Sequence, residues 1–142
     1  MSYEYKPYSD FKIGDKTSYA ITVTEAHIVN FAGATGDFNP MHLNEEHAKK
    51  TMFKGRIAHG LFVASLLGTV GAPFFGSGAI NVSQTLKYLA PTRIGDTIDV
   101  RIEVTGLVPE KQKVLCRTYV VNQNGVTVLD GEQVVKIIKE QA

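Results

Sequence analysis

The chain has 142 residues, 15 Lys and Arg against 14 Asp and Glu, and an apolar fraction of 44%. That length suits one domain spanning residues 1–142, with a core large enough to need no covalent staples. A formal charge of +1 offers no field for a nucleic-acid backbone, and no polybasic run suggests a membrane surface.

Met1 to Pro7 lacks the charged-then-apolar layout of a secretory signal, so a cytoplasmic protein is expected. Ile13-Gly14-Asp15-Lys16 reads as a turn into a strand over Thr17–Val23. Thr24 followed by Glu25 is a helix-start signal, and Ala26, Val29, Phe31 and Ala32 recur at roughly helical spacing. Gly33, Gly36 and Pro40 then break the period, which marks an irregular loop over Gly33–His42. A short helix follows over Glu45–Thr51. The next, His59–Ala72, is apolar on nearly all sides through Leu61, Phe62, Val63, Leu66, Leu67 and Val70, so it must be surrounded. Its apolar run, Leu61–Phe75, is short of the ~20 residues that span a bilayer. It therefore reads as a central helix enclosed by a sheet, with Gly60, Ala64, Ser65 and Gly68 admitting a close backbone.

From residue 78 the pattern is β. Ile80–Leu89 is one strand, ended by Ala90-Pro91; Ile94-Gly95-Asp96 turns into a second, where Ile98, Val100, Ile102 and Val104 alternate with charged residues. A third covers Gln112–Asn122, Asn124-Gly125 signals a hairpin, and a fourth covers Val126–Ile138. Cys116, the single cysteine, rules out an intramolecular disulfide and reads as a small buried side chain in its apolar run. Long antiparallel strands after one buried helix describe an α+β fold, a curled sheet around that helix, with an open edge that predicts self-association.

Chemistry concentrates in Gly36-Asp37-Phe38-Asn39-Pro40-Met41-His42. An acid and an imidazole five positions apart on an irregular turn can converge on one water, Asp37 as an ionised acceptor and His42 as a group that gives or takes a proton near neutral pH. Asn39 can bond its own backbone and Pro40 stiffens the turn. On spacing alone, an Asx-type turn with a solvated histidine explains the same residues equally well.

Phe31 to Ala48 closely resembles the hydratase 2 signature of the MaoC-like dehydratases, which include the (R)-specific enoyl-CoA hydratases. The resemblance continues through Ile57-Ala58-His59-Gly60-Leu61 and Pro91…Gly95-Asp96, and its small departures, Ala34 and Met41, touch neither the acid nor the imidazole. It implies a hot-dog fold and reversible addition of water to a trans-2-enoyl-CoA, giving the (R)-3-hydroxyacyl-CoA. It implies acyl-CoA as the substrate, no cofactor beyond the coenzyme A of that substrate, and a homodimer or higher assembly. By the same carry-over Asp37 and His42 are catalytic, positioning the water and exchanging its proton with the substrate. The thioester oxygen, where negative charge develops, needs donors. Gly60 is the candidate, since the first N–H groups of a helix lack internal partners and a glycine lets the thioester come close.

Asn39 and Pro40 are expected beside the substrate, with His59 and Ser65 as weaker candidates. A packed or capping histidine and a hydroxyl returned to the helix backbone are the plainer readings of those two. Lys54, Arg56 and Lys87 are the cations available to coenzyme A phosphates, although solvated surface charge is the commoner fate; His27 and His47 read as surface helix residues. His42, His47 and His59 share no metal-ligand spacing, and no G-x-G-x-x-G follows a strand, so neither a metal nor a nicotinamide or flavin is expected. Phe38, Met41, Met52, Phe53, Phe74 and Phe75 are candidates to close the acyl tunnel. Two other activities stay open: a hot-dog acyl-CoA thioesterase, and a non-catalytic acyl-thioester-binding protein or partner subunit of a larger dehydratase.

Overall fold

The computed structural model describes residues 3–139. The first strand, β1 (Lys16–Thr22), follows the Gly14-Asp15 turn and begins one residue before its expected start. Helix α1 (Glu25–Thr35) starts at Thr24, whose backbone N–H donates to His27 Nδ1 at 3.0 Å. His27 is thus half-buried rather than on the surface, with its ring stacked 5.2 Å from that of Phe62. The helix runs straight through Gly33, where a loop was expected, because a solvent-facing glycine costs a helix only about 1 kcal/mol. It stops at Gly36, whose φ of +78° is the left-handed cap that glycine adopts without strain. The buried stripe is Ile28 and Ala32, one turn apart, so Val29 points outward and is 49% exposed.

Two single-turn helices follow, α2 (Pro40–Leu43) and α3 (Glu45–Ala48), shorter than the expected loop and helix suggested. Asparagine starts each: Asn39 Oδ1 accepts the Met41 N–H at 3.0 Å and Asn44 Oδ1 accepts the His47 N–H at 2.9 Å. The central helix, α4 (Gly60–Phe75), extends past Pro73 to end three residues beyond its expected stop. Proline is tolerated there because the helix ends at the next turn and Thr69, whose carbonyl loses a partner, is exposed.

Strands β2 (Ala79–Tyr88), β3 (Thr97–Val108), β4 (Lys113–Asn122) and β5 (Thr127–Ile137) join β1 in one antiparallel sheet of order β1-β3-β4-β5-β2. Strict alternation in β3 turns Ile98, Val100, Ile102 and Val104 inward, each essentially inaccessible. Helix α4 packs against β1 and β2, the two edges, as well as β3 and β5, which requires the sheet to curl around it. Leu67 and Val70 fill that concavity, and each such side chain stabilises the fold by roughly 1.5–3 kcal/mol through burial. The enclosure is incomplete. Leu61, Ser65, Gly68, Thr69 and Ala72 leave one stripe of α4 open, on the side where the sheet ends at β2. Cys116 is buried, and burial pushes its thiol up to about 12, which removes it from nucleophilic chemistry. Among the described residues no helix is long and apolar enough to cross a membrane.

Candidate active site

The segment before α4 is tied to the β2–β3 connection by the Ala58 N–H, which donates to the Thr92 carbonyl at 2.7 Å. This sets the N-terminus of α4 at the wall of a cavity of about 500 Å³, lined among others by Asp37, His42, His59, Gly60, Tyr88 and Val128. The N–H groups of Gly60 and Leu61 belong to the first turn of α4 and have no intrahelical partner.

Asp37 reaches this wall because α1 ends at Gly36 and the chain reverses. Its Oδ1 accepts the Asn39 N–H at 3.2 Å, and a carboxylate oxygen is left over. His42, in α2, donates Nδ1–H to the Ile57 carbonyl at 2.8 Å. A carbonyl can only accept, so the proton of the neutral ring sits on Nδ1 and Nε2 carries the lone pair. One donor atom of each of Asp37, His42 and His59 lies within 4.8 Å of the other two. That spacing fits a single water hydrogen-bonded between the carboxylate and the imidazole.

His59 is 2% exposed, with its ring centroid 3.9 Å from that of His42 and 4.8 Å from that of Phe31. Its Nε2–H donates to the backbone carbonyl of Asp37 at 3.0 Å. One buried side chain therefore holds both members of the pair: the acid through its backbone and the imidazole through its face. The sequence leaned toward a merely packed or capping histidine. The clustering of Asp37, His42 and His59 also revises the expectation that the histidines share no ligand spacing, while His47 stays outside it. One nitrogen of each ring is already spent on a backbone carbonyl, His42 Nδ1 on Ile57 and His59 Nε2 on Asp37.

Gly60 lines the cavity, and its missing side chain has a second cause beside the one expected. A Cβ there would stand 2.7 Å from Cε1 of Tyr88, so the glycine makes room for that ring rather than for the substrate alone. Tyr88, at the end of β2, is a wall residue that sequence spacing did not single out. Asn39 and Pro40 are absent from the cavity lining and instead start α2. Ser65 also lies off the lining and donates to the Phe62 carbonyl at 2.6 Å, the backbone return foreseen for it. Of the six candidates to close the acyl end, Met52 and Phe53 line the cavity; Phe74 and Phe75, the last residues of α4, pack on Phe11 instead. Arg56 is committed to internal hydrogen bonds with Glu25 and the His42 carbonyl, leaving it unavailable to a phosphate.

Residues 11–127 match the model of the MaoC like domain family. The (R)-specific enoyl-CoA hydratase of Rhodospirillum rubrum is 46% identical over 131 residues, 92% of this chain and 90% of that protein. The 3-hydroxybutyryl-CoA dehydratase of Methylorubrum extorquens is 40% identical, over 94% of this chain and 85% of that one. Among solved structures, the (R)-hydratase from A. caviae involved in PHA biosynthesis superposes with a TM-score of 0.86 at 33% identity, covering 91% of this chain and 98% of its own. The curled sheet around α4 is accordingly the hot-dog fold.

Proposed function

The chain belongs to the MaoC-like dehydratase family, and from that premise we propose that it is a hydro-lyase, an (R)-specific enoyl-CoA hydratase that adds water reversibly to trans-2-enoyl-CoA. The observation that carries this reading is the meeting, at one cavity, of the Asp37 carboxylate, the His42 imidazole and the unpartnered first turn of α4. Water held between Asp37 and His42 gives a proton to the Nε2 lone pair as its oxygen attacks C3. The imidazolium then returns a proton to C2, with Asp37 holding the water and offsetting the positive ring. The enolate-like charge that develops on the thioester oxygen meets the Gly60 N–H and the positive end of the α4 dipole. Nothing in this sequence of steps is redox, so it calls for no cofactor beyond the substrate's coenzyme A.

The same donors at α4 would also suit thioester hydrolysis, and one assay separates the two. Incubated with a chain-length series of trans-2-enoyl-CoAs, the protein removes the conjugated absorbance without releasing thiol, and chiral analysis finds the (R)-3-hydroxyacyl product. Free thiol would instead identify a thioesterase, and binding without turnover a non-catalytic acyl-thioester carrier. We further propose that the active form is a homodimer. Supporting this are the open stripe of α4 and the β2 edge beside it, which is unpaired among the described residues.

A further inference from the structure

Helix α2 is one turn long, far below the length at which a helix holds itself, and it carries His42. Its last carbonyls have no partner within the helix. Arg56 supplies one: its Nε–H donates to the His42 carbonyl at 2.6 Å, while Nη1 and Nη2 donate to Glu25 Oε2 and Oε1, each at 2.9 Å. The Arg56 side chain is only 15% exposed, and its own backbone N–H donates to Glu45 Oε2 at 3.3 Å. The neighbouring residue closes the grip, because the Ile57 N–H donates to the Met41 carbonyl and the Ile57 carbonyl accepts His42 Nδ1–H. His42 is thus held at its backbone and its ring by two consecutive residues, one of them forked onto the start of α1.

We infer that Arg56 is a positioning residue for the hydration, latching the turn that carries His42 to Glu25 of α1; the inference rests on reading Asp37 and His42 as the acid–base pair. Only a guanidinium fits this task. Its planar fork spends two donors on one carboxylate and still presents Nε to a carbonyl, whereas a lysine ammonium on its flexible stem keeps the charge but not the three-point geometry. Small displacements of a general base are costly in rate, and a displacement of about 1 Å can cost ~10²-fold.

The test is Arg56→Lys and Glu25→Gln in the full chain, with steady-state kinetics on an enoyl-CoA and nitrogen-15 NMR of the histidine rings. Arg56→Lys is expected to lower kcat by roughly 10- to 100-fold with KM within twofold of wild type. Glu25→Gln falls in the same direction by less, and the double variant is no worse than Arg56→Lys, since both cut one latch. In the NMR spectrum the single Nδ1-protonated tautomer of His42 gives way to a mixture. A raised KM with kcat intact would overturn the inference in favour of a phosphate contact. A lowered melting temperature with kcat and the His42 signals unchanged would overturn it in favour of mere structural support. Should Arg56→Lys fail to fold, Glu25→Gln at its exposed carboxylate carries both readouts. Should wild type lack hydratase activity, the fault lies with the proposed reaction, and the His42 tautomer alone decides the latch: mixed in the variants, it stands; unchanged, it falls.

Discussion

At the residue scale the pair and the donor make separable demands. Asp37→Asn keeps shape and loses charge; His42→Gln keeps some hydrogen bonding and loses the titrating ring. General acid–base groups contribute ~10²–10⁴-fold, so each variant is expected to lose about that much in kcat with its circular-dichroism spectrum unchanged. Because both act on one water, the double variant loses far less than the product of the two. Gly60 requires a more careful design, since any side chain there meets the Tyr88 ring at 2.7 Å. Gly60→Ala is therefore expected to slow the enzyme in the native background and to be tolerated once Tyr88→Ala has cleared the space, a coupling of about 0.5–3 kcal/mol. Gly60→Pro, made in that cleared background, removes the N–H itself, and His59 at φ −58° and ψ 130° already has the backbone that precedes proline comfortably. A loss of ~10²–10³-fold relative to the alanine variant identifies the oxyanion donor; equal rates would place that donor elsewhere.

At the scale of elements, the sheet's outer face carries a diagonal ion pair from β4 to β5, Arg117 Nη2 to Asp130 Oδ2 at 2.8 Å, with the guanidinium 4.2 Å over the Tyr119 ring. The hydrogen bond from Arg117 holds the Asp130 carboxyl below the usual carboxylate range. A folded-state value below the unfolded one means that the pair's contribution is complete above the ordinary aspartate value of about 3.9 and is lost as pH falls through the depressed one. Asp130→Asn is thus expected to lower the melting temperature at pH 7 by a few degrees at most, the pair being part-exposed, with the gap to wild type closing in acid. A gap that persists unchanged to the lowest pH would assign the loss to packing. Local pattern makes much of this architecture legible in the sequence: the β3 alternation, the apolar α4 and the Asn124-Gly125 hairpin each state their structure within about ten residues. Asp37 and His42 were legible for the same reason, being five positions apart. Gly33 inside α1 misled because the burial of Ile28 and Ala32 outweighs one unfavourable residue. The roles of His59, Tyr88 and Arg56 depend on segments distant in the chain packing together, which no local spacing encodes.

At the scale of the whole molecule, what is left uncovered is specific. Among the described residues strand β2 has one partner, β5, and presents its other edge over ten residues, with Ile80 and Val82 about half exposed. Beside it α4 shows Leu61 at 62% exposure above Ser65, Gly68 and Ala72, a stripe of small side chains that lets another backbone approach. A second copy covering both would bury the edge's free backbone groups and the exposed leucine together. Light scattering at micromolar concentration is therefore expected to show dimers or larger and no monomer. Gly68→Glu tests where the contact lies. A Cβ at Gly68 meets nothing within 4 Å, so glutamate fits the isolated protomer and relieves a helix of a glycine worth about 1 kcal/mol. In a contact through α4 the same carboxylate loses its water without a partner and drives the copies apart. The expected outcome is a monomer that is folded, and loss of turnover with dissociation would mean that the second copy helps complete the cavity at Gly60. A Gly68→Glu protein that stays dimeric and active would move the contact to the opposite edge, β1, and leave the α4 stripe facing water.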